Sequence, residues 1–267
     1  MTVIINNAQI KNMQIGPTIA TRGLVSYWDV ASTHSYPRTG SVWYDLVANQ
    51  NNGSMVNMSE SNFLEDSSGA SFTLDGTDEY ITIPSDDSLN FGDGSFSVIL
   101  WIKIPDGALL TGAEGSYIVG KRGVGPMGGA AGWQIKMRQV NATQWVFTNV
   151  TGIDDGTTKQ AIELAAFRLV DIWYMISFKY NSVDKELWLY VNDEPVGSRS
   201  FVSSIGSISN YLPLEILGSK YYNGTFQDSF TDITAASISS LAIHNTYLTT
   251  EDIISTYLAT RDKHLNV

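Results

Sequence analysis

Hydrophobic and polar residues alternate along much of this chain with a period of two. In "SFSVILWIKI" (residues 95–104) every even position is apolar, whereas serine or lysine occupies three of the odd positions. The runs "WYMISFKY" (173–180) and "KELWLYV" (185–191) repeat the pattern, and turn clusters such as "YNSVDK" and "NDEP" separate the runs. Such alternation is typical of strands with one face on a core. Many such runs without helical crossovers predict an all-β, antiparallel, two-sheet jelly-roll β-sandwich.

One segment near the C-terminus has helical periodicity instead. In "LTTEDIISTYLATRDKH", Thr249 is the predicted N-cap, Asp252 follows three residues later, and apolar side chains repeat along one face. We expect one short helix near residues 250–260, docked on the edge of the sandwich. Residues 21–267 then form one domain. Residues 1–20 form a separate N-terminal arm, although they could equally be a first strand or lack order.

Composition excludes some classes of partner. The chain has 267 residues, a net charge of −11 and no cysteine. Nucleic-acid-binding proteins concentrate Lys and Arg, so this acidic balance argues against a nucleic-acid partner. The chain carries no apolar stretch long enough to cross a bilayer and no recognisable signal peptide, so neither membrane insertion nor export by a cleaved signal is expected.

Acidic residues cluster in "SFTLDGTDEYITI" (residues 71–83), where two alternating runs flank a turn. We interpret this stretch as a β-hairpin whose turn is formed by Asp75 and Gly76. Asp75, Asp78 and Glu79 could together hold a Ca²⁺ ion with help from backbone carbonyl groups. The alternative is a solvated turn in which the carboxylates accept backbone hydrogen bonds.

The order of these segments resembles a known family. "SFTLDGTDEYITIPSDDSLNFGDGSFSVILWIKI", "IVGKRG", "GWQIKM", "WYMISFKYNSVDKELWLYVNDEPVGS" and "ISSLAIHNTYLTTEDIISTYLA" follow the strand pattern of laminin-G-like, concanavalin A-like jelly-roll domains over most of residues 23–260. The front segment "GPTIATRGLVSYWDVASTHSYPRTGSVWYDLVANQNNGSMVN" resembles the version common in virion structural proteins of tailed bacteriophages. This resemblance implies one concave face, no intrinsic catalytic machinery, and a role in binding or in decorating a particle.

Aromatic residues mark the predicted binding face. Trp101, Trp188 and Tyr190 occupy the polar parity of their strands. If these strands share a sheet, the rings could stack on sugars along the concave side, while Lys103 and Gln134 bind hydroxyl groups. The alternative is that loops or a partner subunit cover this face and that the rings form a second packing layer.

Catalytic patterns are missing from the sequence. A glycoside hydrolase needs two converging carboxylates, but Glu163 and Glu186 each stand alone on their predicted strands. The three histidines (His34, His244 and His264) lack the neighbours of a metal or serine-hydrolase motif. We therefore expect a protein that is not an enzyme.

Together these patterns predict a virion-associated structural or decoration protein of a tailed phage, which presents a glycan-binding face for adhesion. We expect its N-terminal arm to dock on other virion proteins, its assembly to be homo-oligomeric, and its synthesis to take place in the host cytoplasm. No cofactor is required, although a structural calcium ion could be bound. The alternatives are a microbial carbohydrate-binding or adhesin module and, third, a glycoside hydrolase.

Overall fold

The computed structural model describes residues 17–67, 69–106, 108, 116–121, 132–141, 144–152, 159–167, 170–201, 206–222, 226–231 and 235–264. Its strands are β1 (Leu24–Asp29), β2 (Val42–Trp43), β3 (Gly53–Val56), β4 (Phe63–Asp66), β5 (Gly69–Leu74), β6 (Tyr80–Ile83), β7 (Phe96–Lys103), β8 (Ser116–Lys121), β9 (Trp133–Asn141), β10 (Gln144–Gly152), β11 (Lys159–Phe167), β12 (Trp173–Asn181), β13 (Glu186–Val191), β14 (Glu194–Ser200), β15 (Leu214–Ile216), β16 (Ser219–Tyr222), β17 (Phe226–Thr231) and β18 (Ala236–His244). The helix α1 spans Thr250–Thr260, and short 3-10 turns span Glu60–Asn62, Asp87–Leu89 and Arg261–Lys263.

The strands form two large antiparallel sheets, as the sequence predicts. Sheet 1 has the order β14-β13-β12-β7-β18-β5-β4, and β1 also pairs with β18. Sheet 2 has the order β11-β10-β9-β8-β15-β6-β3-β2, and β16 pairs with β17 in a separate hairpin. The all-β jelly-roll architecture with one short C-terminal helix is thereby confirmed.

The main core lies between the two sheets and is rich in aromatic side chains. Phe96 on β7 sits 5.1 Å from Phe91, 5.5 Å from Phe178 and 5.8 Å from Trp133 on the opposite sheet, measured between ring centroids. The even positions of β7 all belong to this core, in agreement with the alternation of the sequence. Large rings that interlock in this way stabilise the contact beyond the area they bury.

A second apolar layer covers the outer face of sheet 1. Helix α1 packs Ile253 and Tyr257 onto side chains that point away from the main core, including Ile99, Trp101 and Met175. The helix therefore lies on a sheet face rather than on the predicted sandwich edge. Its start agrees with the sequence, because Thr249 Oγ1 accepts from Asp252 N (3.1 Å) and Asp252 Oδ2 accepts from Thr249 N (2.8 Å).

The predicted hairpin around Asp75 and Gly76 is wrong. β5 pairs with β4 and β18 in sheet 1, whereas β6 pairs with β3 and β15 in sheet 2. The acidic turn therefore carries the chain from one sheet to the other. Gly76 has a φ of 78°, a left-handed conformation that favours glycine. A Cβ there would also lie 2.7 Å from the backbone nitrogen of Ala235, so the close approach of the two segments requires glycine as well.

Most of the predicted N-terminal arm lies outside the described residues. Its last residues contact α1: Thr18 N donates to Ser255 Oγ (3.1 Å), and Ala20 N donates to Thr256 Oγ1 (2.9 Å). Arg22, just after the arm, forms an ion pair with Asp252 (2.6 Å). Within the part of the chain that the structure describes, no helix has the length and apolarity needed to cross a membrane.

His244, at the end of β18, makes the stability of the fold depend on pH. Its side chain is fully buried, and its Nδ1 lies 3.0 Å from the carbonyl oxygen of Arg22. Burial lowers the pKa of His244 from 6.5 to about 4, an effect that the hydrogen bond to Arg22 opposes only in part. Between pH 6.5 and pH 4 the unfolded chain therefore binds more protons than the folded chain, so stability falls as the pH falls.

We expect His244 to account for a loss of up to about 3 kcal/mol in the free energy of unfolding as the pH falls from 6.5 to 4. Denaturant unfolding of the wild type and of His244→Gln at pH 7.0 and pH 4.5 measures this loss. Carboxylates titrate in both proteins, so the informative quantity is the difference between their losses. Equal losses in the two proteins would contradict the assignment.

Candidate functional site

The structure buries most of the predicted aromatic platform. Strands β7 and β13 do share sheet 1, and Trp101 and Tyr190 do lie on its outer face. However, Trp101 is only 1% exposed, its Nε1 donates to Thr260 Oγ1 (2.9 Å), and its ring lies 4.4 Å from that of His264. Tyr190 is 3% exposed and shares a 2.9 Å hydrogen bond with Thr250. Helix α1 therefore makes these rings a packing layer rather than an open platform for sugars.

Trp188 and Lys103 occupy other parts of sheet 1. Trp188 is half-buried and donates from Nε1 to Glu186 Oε2 (3.0 Å). The ammonium group of Lys103 lies 5.3 Å from the ring centroid of Trp173, a cation–π contact. Neither side chain lies near Gln134, which belongs to sheet 2. The five predicted glycan-binding residues are thus divided between opposite sides of the sandwich and do not form one site.

The acidic turn does not fit a calcium site. Glu79 accepts hydrogen bonds from Asp75 N (2.7 Å) and Asn62 Nδ2 (2.8 Å), while Asp75 Oδ1 accepts from Thr77 N (2.7 Å). Asp78 Oδ2 accepts from Asn57 Nδ2 (3.0 Å). Among the described residues, which include this whole turn, no group of three or more His, Cys, Asp or Glu side chains is placed to hold a metal ion. The carboxylates hold the turn together instead.

The outer face of sheet 2 carries a buried polar group that contains Gln134. On β9, Trp133, Ile135 and Met137 enter the main core, so Gln134 and Lys136 point to the opposite side of the sheet. Gln134 and Lys136 are each only 3% exposed. Polar side chains are rarely buried to this degree on the outer face of a sheet unless they have partners.

Two further polar residues complete this group. Tyr117 on β8 pairs directly with Lys136 and is fully buried. Glu215 lies between core residues Leu214 and Ile216 on β15, so its side chain also points away from the core, and it is 4% exposed. We call the set Tyr117, Gln134, Lys136 and Glu215 the polar quartet. It combines a phenol, an amide, an ammonium group and a carboxylate on one face.

Gly120 separates two members of the polar quartet. It pairs with Gln134 on one side and with Glu215 on the other, so these two residues flank a position that has no side chain. Their strands are two steps apart, about 10 Å along the sheet. A Cβ at Gly120 would lie 2.6 Å from both Cα and Cβ of Gln134. Glycine therefore lets β8 and β9 approach closely at this position.

The side-chain oxygen of Gln134, beside Gly120, is an unused hydrogen-bond acceptor among the described residues. This Oε1 atom is buried and has no hydrogen-bond partner among the described residues. Leaving a buried acceptor unpaired costs about 1–3 kcal/mol, which native proteins usually avoid. A ligand that donates a hydrogen bond to this oxygen would remove that cost. Because the whole group is at most 4% exposed, a ligand would reach this oxygen only after the cover of this face had opened.

The sequence contained a pattern from which Lys136, but not Glu215, could have been assigned to the same face as Gln134. The run "GWQIKM" alternates core and polar positions, so Lys136 belongs to the same face as Gln134. Glu215 stands alone between two apolar residues in "LEI", a pattern too short to assign to a sheet. That β8 lies between β9 and β15 could not be predicted from spacing, because β15 comes nearly a hundred residues after β8.

We expect Gly120→Ala to destabilise the fold by about 1–3 kcal/mol, because its new methyl group would meet the backbone of Gln134. Thermal unfolding measures this effect. Gly53→Ala is the matched control, since Gly53 lies in β3 of the same sheet and its Cβ would meet side-chain atoms of Ile81 and Ile83 at 3.0 and 3.3 Å, with the nearest backbone atom, Trp43 O, at an ordinary 3.7 Å. If the two variants were equally stable, the close approach at Gly120 would not matter.

Solved structures with similar folds come from toxins and from an enzyme. The binding domain of Paraclostridial Mosquitocidal Protein 1 is 17% identical with a TM-score of 0.60, and the match covers 88% of this chain and 52% of that chain. The Botulinum neurotoxin serotype D ligand binding domain in complex with N-acetylneuraminic acid is 13% identical (TM-score 0.59; 88% and 50% covered). Trypanosoma rangeli sialidase in complex with sialic acid is 15% identical (TM-score 0.55; 94% and 35% covered).

At these identities the comparison shows a shared fold, and the chain spans about half or less of the length of each of these proteins. No curated protein sequence matches the chain significantly. The sequence profile of the laminin G type described as "Concanavalin A-like lectin/glucanases superfamily" matches residues 75–254, which is more than half of the chain. The two-sheet fold agrees with that match, and the chain therefore belongs to the concanavalin A-like lectin/glucanases superfamily.

Proposed function

We propose that this protein is a carbohydrate-binding module whose site is the outer face of sheet 2, centred on Gly120 between Gln134 and Glu215. The observation that carries this proposal is the polar quartet around Gly120, in which the amide oxygen of Gln134 is buried without a partner among the described residues. Sugar hydroxyl groups both donate and accept hydrogen bonds. An amide, a carboxylate and an ammonium group can serve both roles at once.

The similar structures support carbohydrate as the class of ligand. Two of them are complexes: the sialidase with sialic acid and the neurotoxin domain with N-acetylneuraminic acid. The superfamily description also names lectins and glucanases. A net charge of −11 makes a polyanionic nucleic acid an unsuitable partner for this chain.

We propose binding without catalysis. A glycosidase of the two-carboxylate type holds its carboxyl groups about 5–10 Å apart. On sheet 2, β11 with Glu163 lies four strands away from β15 with Glu215, about 19 Å along the sheet. Glu186 lies in sheet 1, on the other side of the main core. Among the described strands, these glutamates are therefore too far apart to act as an acid and nucleophile pair.

Our more specific proposal is that the module belongs to the virion of a tailed phage, as a structural or decoration protein that binds host or surface glycans. The resemblance of the front segment, residues 16–57, to virion proteins supports this context. The alternative is a microbial adhesin module, which uses the same face. Mass spectrometry of purified particles tests the virion proposal, and absence of the chain from intact particles would favour the adhesin.

We expect the full chain to bind a subset of glycans on an array, and Gln134→Ala to weaken that binding roughly 10–100-fold because one buried hydrogen bond is lost. Calorimetry with the best glycan measures the affinity. A separate reducing-sugar assay of the same mixture should detect no release of sugar.

Lys103→Ala is the matched control for this experiment, because Lys103 lies on sheet 1 and was predicted from sequence to bind the same sugars. It should leave the affinity unchanged. Equal losses in both variants would place the site elsewhere, and no binding by the folded wild type would contradict the proposed function.

A further inference from the structure

A buried lysine at the rim of sheet 2 donates to four oxygen atoms of the described residues. Lys121, the last residue of β8, is only 1% exposed. Its Nζ donates to Asn210 O (2.6 Å), Asn210 Oδ1 (3.0 Å), Asn90 Oδ1 (3.0 Å) and Ser85 Oγ (3.1 Å). An ammonium group has three hydrogens, so at least one of them is shared between two of these four acceptors. We call these four atoms the oxygen cage.

Among the residues that the structure describes, neutral dipoles rather than a contacting carboxylate surround the charge in the oxygen cage. The four acceptors are amide, carbonyl and hydroxyl oxygens, all of them neutral. Burial lowers the pKa of Lys121 to about 8, and the charge of Asp87 acts in the opposite direction. The group is therefore largely protonated at neutral pH. Neutral oxygens at such distances are the surroundings that a desolvated cation requires.

The oxygen cage joins three separate segments of the chain. Ser85 follows β6, Asn90 follows the 3-10 turn Asp87–Leu89, and Asn210 precedes β15. Asn210 also donates from Nδ2 to the carbonyl oxygen of Lys121 (2.9 Å) and from its backbone N to Asn90 Oδ1 (3.2 Å). In sheet 2, β15 lies between β8 and β6. One ammonium group thus connects the ends of three neighbouring strands.

We propose that the ammonium group of Lys121 is a built-in structural cation, which fixes this rim of the sandwich in the way that a bound metal ion would. The oxygen cage is then a cation site that the chain fills itself. Removal of the ammonium group vacates it for a small free cation. The acidic turn at Asp75, which does not fit a metal ion, is not needed for this role.

The oxygen cage also bears on the proposed sugar site. Lys121 directly follows Gly120, and its strand partner Trp133 directly precedes Gln134. Lys121 therefore lies directly beside the proposed sugar site. The cation proposal itself does not depend on sugar binding, because it is tested on stability without any glycan.

The test compares Lys121→Ala with the wild type by thermal unfolding at pH 6.5. We expect the variant to lose roughly 5–10 °C in Tm, because four buried acceptors lose a donor. Addition of n-propylammonium, which replaces the missing part of the side chain, should restore at least half of that loss. Tetramethylammonium at the same ionic strength is too large for the oxygen cage and donates no hydrogen bond, so it should restore nothing.

Two controls separate charge from packing. Lys121→Met keeps an apolar stem without the charge and should remain destabilised, whereas Lys103→Ala should show no difference between the two ammonium salts. Addition of EDTA or calcium should leave the Tm of the wild type unchanged. If Lys121→Met were as stable as the wild type, or if both salts acted equally on Lys121→Ala, the proposal would be overturned.

A measurement on the wild type covers the case in which Lys121→Ala does not fold. A buried ammonium group bonded to oxygen exchanges its hydrogens slowly, whereas exposed lysines exchange too fast to be seen. We expect one or more protected lysine ¹⁵Nζ signals in an NMR spectrum at pH 6.5, including one that disappears in Lys121→Met. A spectrum in which Lys121→Met removes no such signal would contradict the oxygen cage.

Discussion

The apolar burial of sheet 1 on both of its faces is the constraint on which the rest of the structure depends. Every residue of β7 except the last is buried: the even positions enter the main core, Ile99 and Trp101 lie under α1, and Ser97 bonds to Thr246 and Leu248 just before the helix. The molecule is therefore built in three layers, with sheet 1 as the middle layer. Helix α1 does not cover sheet 2, whose outer face carries the polar quartet.

This division explains why the aromatic and polar residues have different roles. Trp101 and Tyr190 have the chemistry of sugar-stacking side chains, but their position in the middle layer makes them the surface on which α1 docks. Gln134 and Lys136 occupy equivalent parity positions on sheet 2, where burial leaves an amide oxygen without a partner among the described residues. The layer to which a strand belongs, rather than the residue that it carries, decides whether its outer side chains pack under α1.

Alternation along the chain predicted the architecture because it depends only on local geometry. The parity of residues 95–104, the capping box at Thr249 and the antiparallel pairing of residues 173–191 are all present. What local pattern cannot supply is the sheet to which each strand belongs. The turn at Asp75 therefore looked like a hairpin although it joins two sheets, and Trp101 looked exposed because its cover lies 150 residues away. The oxygen cage around Lys121 combines three distant segments and has no signature in sequence.

The contacts of α1 with the first described residues have a geometric consequence. Thr18 and Ala20 bond to the helix, and Arg22 forms an ion pair with Asp252 at its first turn. Residues near both ends of the described chain thus meet on the outer face of sheet 1, whereas the polar quartet lies on the opposite side of the sandwich. The two outer faces of the sandwich therefore differ, because sheet 1 carries α1 and sheet 2 carries the polar quartet. Any support joined to either flank would meet the side of the sandwich that α1 covers, and the main core would separate that support from the polar quartet.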